Sequence, residues 1–221
     1  MLCDQILKEQ FKHDNFFENN EKIIIIDNYN IINIKKQGIQ FFYENFKDVG
    51  CKNIDIYFQV QAINVDNDKI VELSNEFGVT FNDMLSLISF LKIRSNCQLE
   101  NEIVNKKKSL KHAIDFIEEM KKINIDVTLR PYLLRNNEKY FHGRYWISKN
   151  SNNEGIGYII DGSLNTIEKA HVLGQLMDNQ NYNLIVTFFN ETISRGLQQY
   201  NPLDLETLNK YYYYLINRFC R

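Results

Sequence analysis

His142 and Arg144 lie two residues apart, and twenty residues after His142 the chain reads Gly162-Ser163-Leu164-Asn165. On an extended strand, residues two apart project from one face. The Gly-Ser-Leu-Asn corner precedes a helical pattern, so it offers a hydroxyl, a carboxamide and backbone N–H groups at a helix start, a natural seat for an anion. A guanidinium grips phosphate oxygens in pairs. Imidazole, guanidinium and corner together point to one phosphate.

The elements around these residues alternate. Positions 22–27 hold four consecutive isoleucines between Lys22 and Asp27, which predicts a buried strand, central in a parallel or mixed sheet. A helical pattern over 31–49 contains Gly38 and stops at Gly50, and 53–60 alternates as a second strand through Ile54, Ile56 and Phe58. The stretch 68–98 is helical, with Thr80 and Asp83 placed as a capping box. Ser109 is positioned to cap a helix whose stripe is Leu110, Ala113, Ile114, Ile117 and Met120. Just before it, Lys106, Lys107, Lys108 and Lys111 form either a phosphate-facing patch or a solvated helix start. A third strand is expected over 126–134, bent or at an edge because of Pro131, with Arg130 turned toward the site or toward solvent.

A hairpin follows, 145–148 paired with 156–160 through a turn containing Ser151, Asn152, Asn153 and Gly155. Trp146 and Tyr145 read as hairpin packing, with base stacking as the alternative. Beyond the corner, 165–177 reads as a helix and 184–189 as another buried strand, five of its six residues being apolar. Helices over 191–200 and 203–218, parted by Asn201-Pro202, close the chain. Tyr211, Tyr212, Tyr213 and Tyr214 cover more than one face of the last helix, so some face a core and others a partner surface or half-buried positions.

Strands alternating with helices make the fold class α/β. The expected division is an N-terminal helix or linker over 1–21, an α/β domain of mixed sheet flanked by helices over 22–190, and a C-terminal helical extension over 191–221 packed on the same domain. The 221 residues with 44% apolar content suffice for one core. A net charge of −2 gives no global case for wrapping duplex DNA. Cys3, Cys51, Cys97 and Cys220 are scattered without metal-ligand spacing and read as reduced thiols. Charges break up the first residues, so no signal peptide is expected, no apolar run reaches a membrane span, and the location is read as cytoplasmic.

The stretch His142-x-Arg144 followed by Gly162-Ser163-Leu164-Asn165 resembles the signature of the phospholipase D superfamily, His-x-Lys, an Asp, then Gly-Ser-x-Asn. It is similar in particular to the phospholipase-D-like C-terminal domain of MIT-domain proteins and their bacterial relatives, which are regarded as non-catalytic binding domains. Asp27-Asn28-Tyr29 is similar to the Asp-Pro-Tyr that closes the first strand in many such domains, and the resemblance extends over about 22–190. It implies a phospholipase D-like mixed sheet, with His142 as the phosphoryl-accepting nucleophile and Arg144, Ser163 and Asn165 holding phosphate oxygens beside Gly162. Two positions depart from the signature: Arg144 replaces the Lys, and Lys149 falls where the Asp belongs by direct count. The His142-to-Gly162 interval is also longer than usual, which leaves Glu154 or Asp161 as a carboxylate near His142, Asp161 being equally a turn residue.

The family mechanism opposes two motifs, one His attacking phosphorus and the other protonating the leaving oxygen. This chain carries one, so turnover implies a homodimer. Neither metal nor cofactor is called for. His142 and Arg144, Ser163 and Asn165 are therefore the expected catalytic set, and Arg130, Gly162, Lys107 and Lys108 the expected substrate contacts. His13, His112 and His171 have no companion ligands in sequence and read as ordinary histidines. Three function classes remain open: a dimeric metal-independent phosphodiesterase or nuclease, in bacterial (phage) defence and with a protein partner in a multi-component system; a non-catalytic phosphate-recognising module that binds a nucleic acid, a nucleotide, a lipid headgroup or a protein partner; and a structural subunit retaining the fold.

Overall fold

A computed structural model describes residues 11, 16, 22–27, 36–47, 50–60, 65–93, 99–133, 144–149, 155–160, 174–193 and 200–219. Its core is one six-stranded mixed sheet, β1 (Lys22–Ile26), β2 (Asn53–Gln59), β3 (Asp126–Tyr132), β4 (Tyr145–Lys149), β5 (Gly157–Ile160) and β6 (Gly174–Leu176). The strands lie in the order β3-β2-β1-β4-β5-β6. β1, β2 and β3 are parallel, whereas β4, β5 and β6 are each antiparallel to the preceding neighbour. The chain therefore builds outward from β1 in one direction, then returns to β1 and builds in the other.

The isoleucine run occupies β1, and its position explains its composition. Ile23 and Ile25 enter one core layer, Ile24 and Ile26 the other, so both faces of the strand are dry. Parallel neighbours need a crossover, and helices supply it. α1 (Lys36–Phe46) links β1 to β2. Four helices link β2 to β3: α2 (Asn67–Phe77), α3 (Phe81–Phe90), α4 (Leu99–Asn105) and α5 (Lys107–Lys121). α6 (Asn179–Phe188) continues as a π-helical turn, Phe189–Ile193, and α7 (Leu205–Phe219) ends the described chain.

The layers are unequal. Buried side chains of α1, α2, α3, α5 and α7 form the larger core with Ile23, Ile25, Ile54, Ile56, Phe58, Val127 and Leu129 of the sheet. Trp146 sits in it, its ring 5.4 Å from Phe11 and 5.4 Å from Phe42, so it is hairpin packing as expected. Phe11 and Phe16 are fully buried in this same core, which ties part of the first twenty-one residues to the domain. The opposite face is covered by Met177, Tyr182 and Phe189 over Ile24, Ile26, Tyr57 and Ile147.

Local signals account for most boundaries. Thr80 and Asp83 form the expected capping box, and Gly78 ends α2 in the left-handed region at φ 62°. β3 is an edge strand of the sheet, as Pro131 suggested, and Leu203 adds a single bridge to it through Leu129 with bonds of 3.1 and 2.8 Å. Of the four tyrosines, Tyr211 is buried and Tyr213 is 63% exposed.

Three expectations are corrected. The stretch 184–189 is helix, not strand: Asp178 caps α6 by accepting from the Asn181 N–H at 2.8 Å, and Tyr182, Ile185, Val186 and Phe189 fall at helical spacing on its inner side, leaving Leu184 60% exposed. The end of the expected helix 165–177 is strand β6, because Gly174, Gln175 and Leu176 pair with Ile160, Ile159 and Tyr158, while 165–173 lie outside the described residues. α5 begins before Ser109, at Lys107 after Lys106, and has no side-chain cap. Of the expected helix 191–200, residues 191–193 belong to the π-helical turn and 194–199 lie outside the described residues. Among the described residues no helix is long and apolar enough to cross a membrane.

Candidate functional site

The sheet's carboxyl edge, where β1, β2 and β3 end, brings Asp27 and Arg144 together. Because β4 runs antiparallel to β1, with Ile26 opposite Tyr145, the start of β4 lies beside the end of β1. Asp27 closes β1 and Arg144 precedes β4, and the Arg144 Nε stands 3.8 Å from Asp27 Oδ1. Asp27 is 2% exposed, so its carboxylate meets the guanidinium out of bulk water. The backbone fixes both residues: Asp27 N–H donates to Tyr57 C=O at 2.9 Å, and Ile160 N–H donates to Arg144 C=O at 2.9 Å. Tyr132, fully buried at the end of β3, has its phenol pKa raised by burial and then by the Asp27 charge.

This location has a topological logic. In open α/β sheets, ligands bind outside the carboxyl ends of the strands, at the point where successive connections change direction. Here that point is the junction of β1 and β4, which Asp27 and Arg144 flank.

A second charged group lies on the sheet face that carries α6. Asp55, 3% exposed in the middle of β2, is paired with Lys22 of β1 and with Arg130 of β3, whose Nε is 2.9 Å from Asp55 Oδ2 and off the line of a good hydrogen bond. Tyr57 donates its hydroxyl to the same oxygen at 3.3 Å. Its pKa is raised by burial and by Asp55, against the pull of Arg130. Lys149, directly opposite Lys22 across the β1–β4 pair, lies 5.8 Å over the Phe189 ring. Its pKa is lowered by burial and then by Lys22.

Of the expected site residues, Arg144 is at the carboxyl edge and Arg130 is held on the α6 face by Asp55. Lys107 and Lys108 begin α5, whose core-facing side chains belong to the opposite layer; Lys107 lies 5.9 Å over the Tyr212 ring and Lys108 is exposed. The structure does not bring these lysines to Arg130. His142, Gly162, Ser163 and Asn165 lie outside the described residues, as do Glu154 and Asp161. Among the described residues no three His, Cys, Asp or Glu side chains cluster as a metal site.

Sequence reasoning passed over Asp55, Lys22 and Tyr132. One signal was there: Asp55 interrupts an apolar strand at the position that shares a face with Tyr57, where an unpaired carboxylate would be costly. The chain matches no protein-family model and no curated protein.

Proposed function

We propose that the chain is a phospholipase D-like phosphodiesterase or nuclease that works as a homodimer through a phosphohistidine on His142. The observation that carries this reading is the Arg144–Asp27 pair at the β1–β4 junction. The motif in sequence lacks its carboxylate, with Lys149 at that count, and Asp27 places a buried carboxylate beside the motif's cation instead. Covalent reach supports the same edge. His142 is two residues from Arg144 and Gly162 two from Ile160, and two residues span at most about 7 Å.

In this mechanism an imidazole nitrogen of His142 forms a bond to phosphorus as the bond to the leaving oxygen breaks. The partner subunit's His142 gives that oxygen a proton. Water then attacks the phosphohistidine, passes its proton back to the second imidazole and frees His142. Arg144, Ser163 and Asn165 hold the non-bridging oxygens through the transfer. Asp27 is a positioning residue, acting through Arg144.

One observation favours a second reading, a phosphate-recognising module without turnover. Arg144 replaces lysine and already faces a carboxylate, and a planar guanidinium seats a phosphate well without guaranteeing in-line geometry. The test is cleavage of single-stranded DNA, duplex DNA, RNA and a chromogenic phosphodiester in EDTA, with His142→Ala alongside and the subunit number measured by light scattering. Turnover by a dimer that disappears in the variant supports the phosphohistidine. No turnover, with phosphate-ligand binding that weakens in Arg144→Ala, establishes the recognition module. Neither turnover nor binding refutes both.

A further inference from the structure

The α6 face carries a feature that the carboxyl-edge chemistry does not use. Lys22 and Lys149 are directly opposed on neighbouring antiparallel strands. Like charges in that arrangement destabilise a sheet, and burial adds to the cost of an ammonium. Asp55 offsets Lys22. Lys149 has the Phe189 ring, which attracts a cation, but no carboxylate within ion-pair distance among the described residues. Arg130 stands on the same face, since Tyr57 pairs with Arg130 on one side and with Ile26 on the other. The group is thus three cations around one buried carboxylate. Asp126, another acid on this face of the sheet, is exposed on the edge strand, separated from Lys22 by the Asn53 position.

We infer that Lys149 and Lys22 form a phosphate seat on the sheet face. Its ligand is a phosphate group of a single-stranded nucleic acid whose scissile phosphodiester lies at the carboxyl edge. The assignment of the strand rests on the phosphodiesterase reading; the seat itself does not. From Lys22 to Asp27 is five residues of strand, roughly 17 Å, so one phosphodiester cannot touch both places. Ile24, Ile26 and Ile147 between the two places are buried under Met177, Tyr182 and Phe189, and Arg130 stands to one side on β3, held by Asp55, so the nucleic-acid strand joins the two places around α6 and not across the face. The seat exploits what isolates Lys149: a half-desolvated ammonium beside a like charge gains more from an arriving anion than a solvated surface lysine does.

The test is an amine-labelling footprint on the full chain, read by mass spectrometry. The probes are a 15-nucleotide oligo-dT, inorganic phosphate and no ligand, and exposed Lys121 on α5 is the internal control. Labelling of Lys149 is expected to slow about fivefold with the oligonucleotide while Lys121 is unchanged. Protection by inorganic phosphate as well shows that the seat takes an isolated phosphate; protection by the oligonucleotide alone shows that the strand must deliver it. Lys149→Ala should weaken oligonucleotide binding about tenfold and lower the log–log salt slope by about 0.7, with Lys149→Arg close to the parent chain. Equal Lys149 labelling with and without both probes overturns the seat. Repeating the footprint with Arg144→Ala separates the two ideas: protection that persists there supports the seat even if the carboxyl-edge chemistry fails.

Discussion

Replacing Asp55 by Asn should destabilise the fold and tighten the neighbouring anion seat at the same time. The side chain keeps its shape, so no cavity opens and the change is one of charge. Arg130 Nε lies 2.9 Å from the Asp55 carboxylate, Lys22 shares the same oxygen, and the Tyr57 hydroxyl donates to it at 3.3 Å. At an effective dielectric of about 20, a pair at that Arg130 distance is attracted by about 6 kcal/mol before any cost is subtracted. Two terms reduce it. Arg130 and Lys22 side chains are 28% and 40% exposed, so water screens them in the fold and rehydrates them once the partner is gone. The carboxylate itself, 5% exposed, lost its hydration on folding. A net loss of about 2–3 kcal/mol remains, below the range for removing one partner of a fully buried pair. Urea unfolding should show the midpoint falling with the slope unchanged. With Asp55 neutral, Lys22 is freed for the anion, so phosphate should protect Lys149 at lower concentration than in the parent. A stability change under about 0.5 kcal/mol would refute the pairing argument. Weaker protection of Lys149 would refute the link between Asp55 and the seat.

Lys149→Met tests the same region through pH. The folded-state pKa of Lys149 is depressed, by burial first and Lys22 second, so the charged form penalises the fold below that value, and the penalty fades as pH rises toward the ordinary 10.5. The Met variant should therefore be at least as stable as the parent at pH 7, with the gap closing toward pH 10.5 in paired urea titrations. Trp146→Ala should cost about 3–5 kcal/mol in thermal or urea unfolding, since the 2% exposed ring stacks on Phe11 and Phe42 between sheet and α1. Thr80→Ala should cost about 1 kcal/mol, because its hydroxyl accepts from the Asp83 N–H at 3.1 Å at the start of α3, and a loss under about 0.3 kcal/mol would show the cap to be redundant.

How far the site could be read from the chain divides along one physical line, local against long-range. Four isoleucines between Lys22 and Asp27 announce a strand dry on both faces, and β1 is that strand. The hairpin, the Thr80 box and the Pro131 edge are likewise local statements about backbone preference, and they hold. The stretch 184–189 misled because a short run with five apolar residues in six fits either period; only Tyr182 and the Asp178 cap upstream decide for a helix. Pairings between distant elements leave no such trace. Asp55 and Arg130 are seventy-five positions apart, and Asp27 and Arg144 one hundred and seventeen. What joins the second pair is the direction of one strand. With β4 antiparallel to β1, Tyr145 falls opposite Ile26 and Arg144 arrives at the end where Asp27 sits. Had β4 entered parallel, as β2 and β3 do, the start of that strand would lie at the amino edge, roughly 17 Å from Asp27. A buried carboxylate would then stand without its cation, at a cost of several kcal/mol. The antiparallel return is thus a condition for the site, and it also places Lys149 opposite Lys22, so the carboxyl-edge pair and the lysine pair on the sheet face follow from the same reversal of the chain.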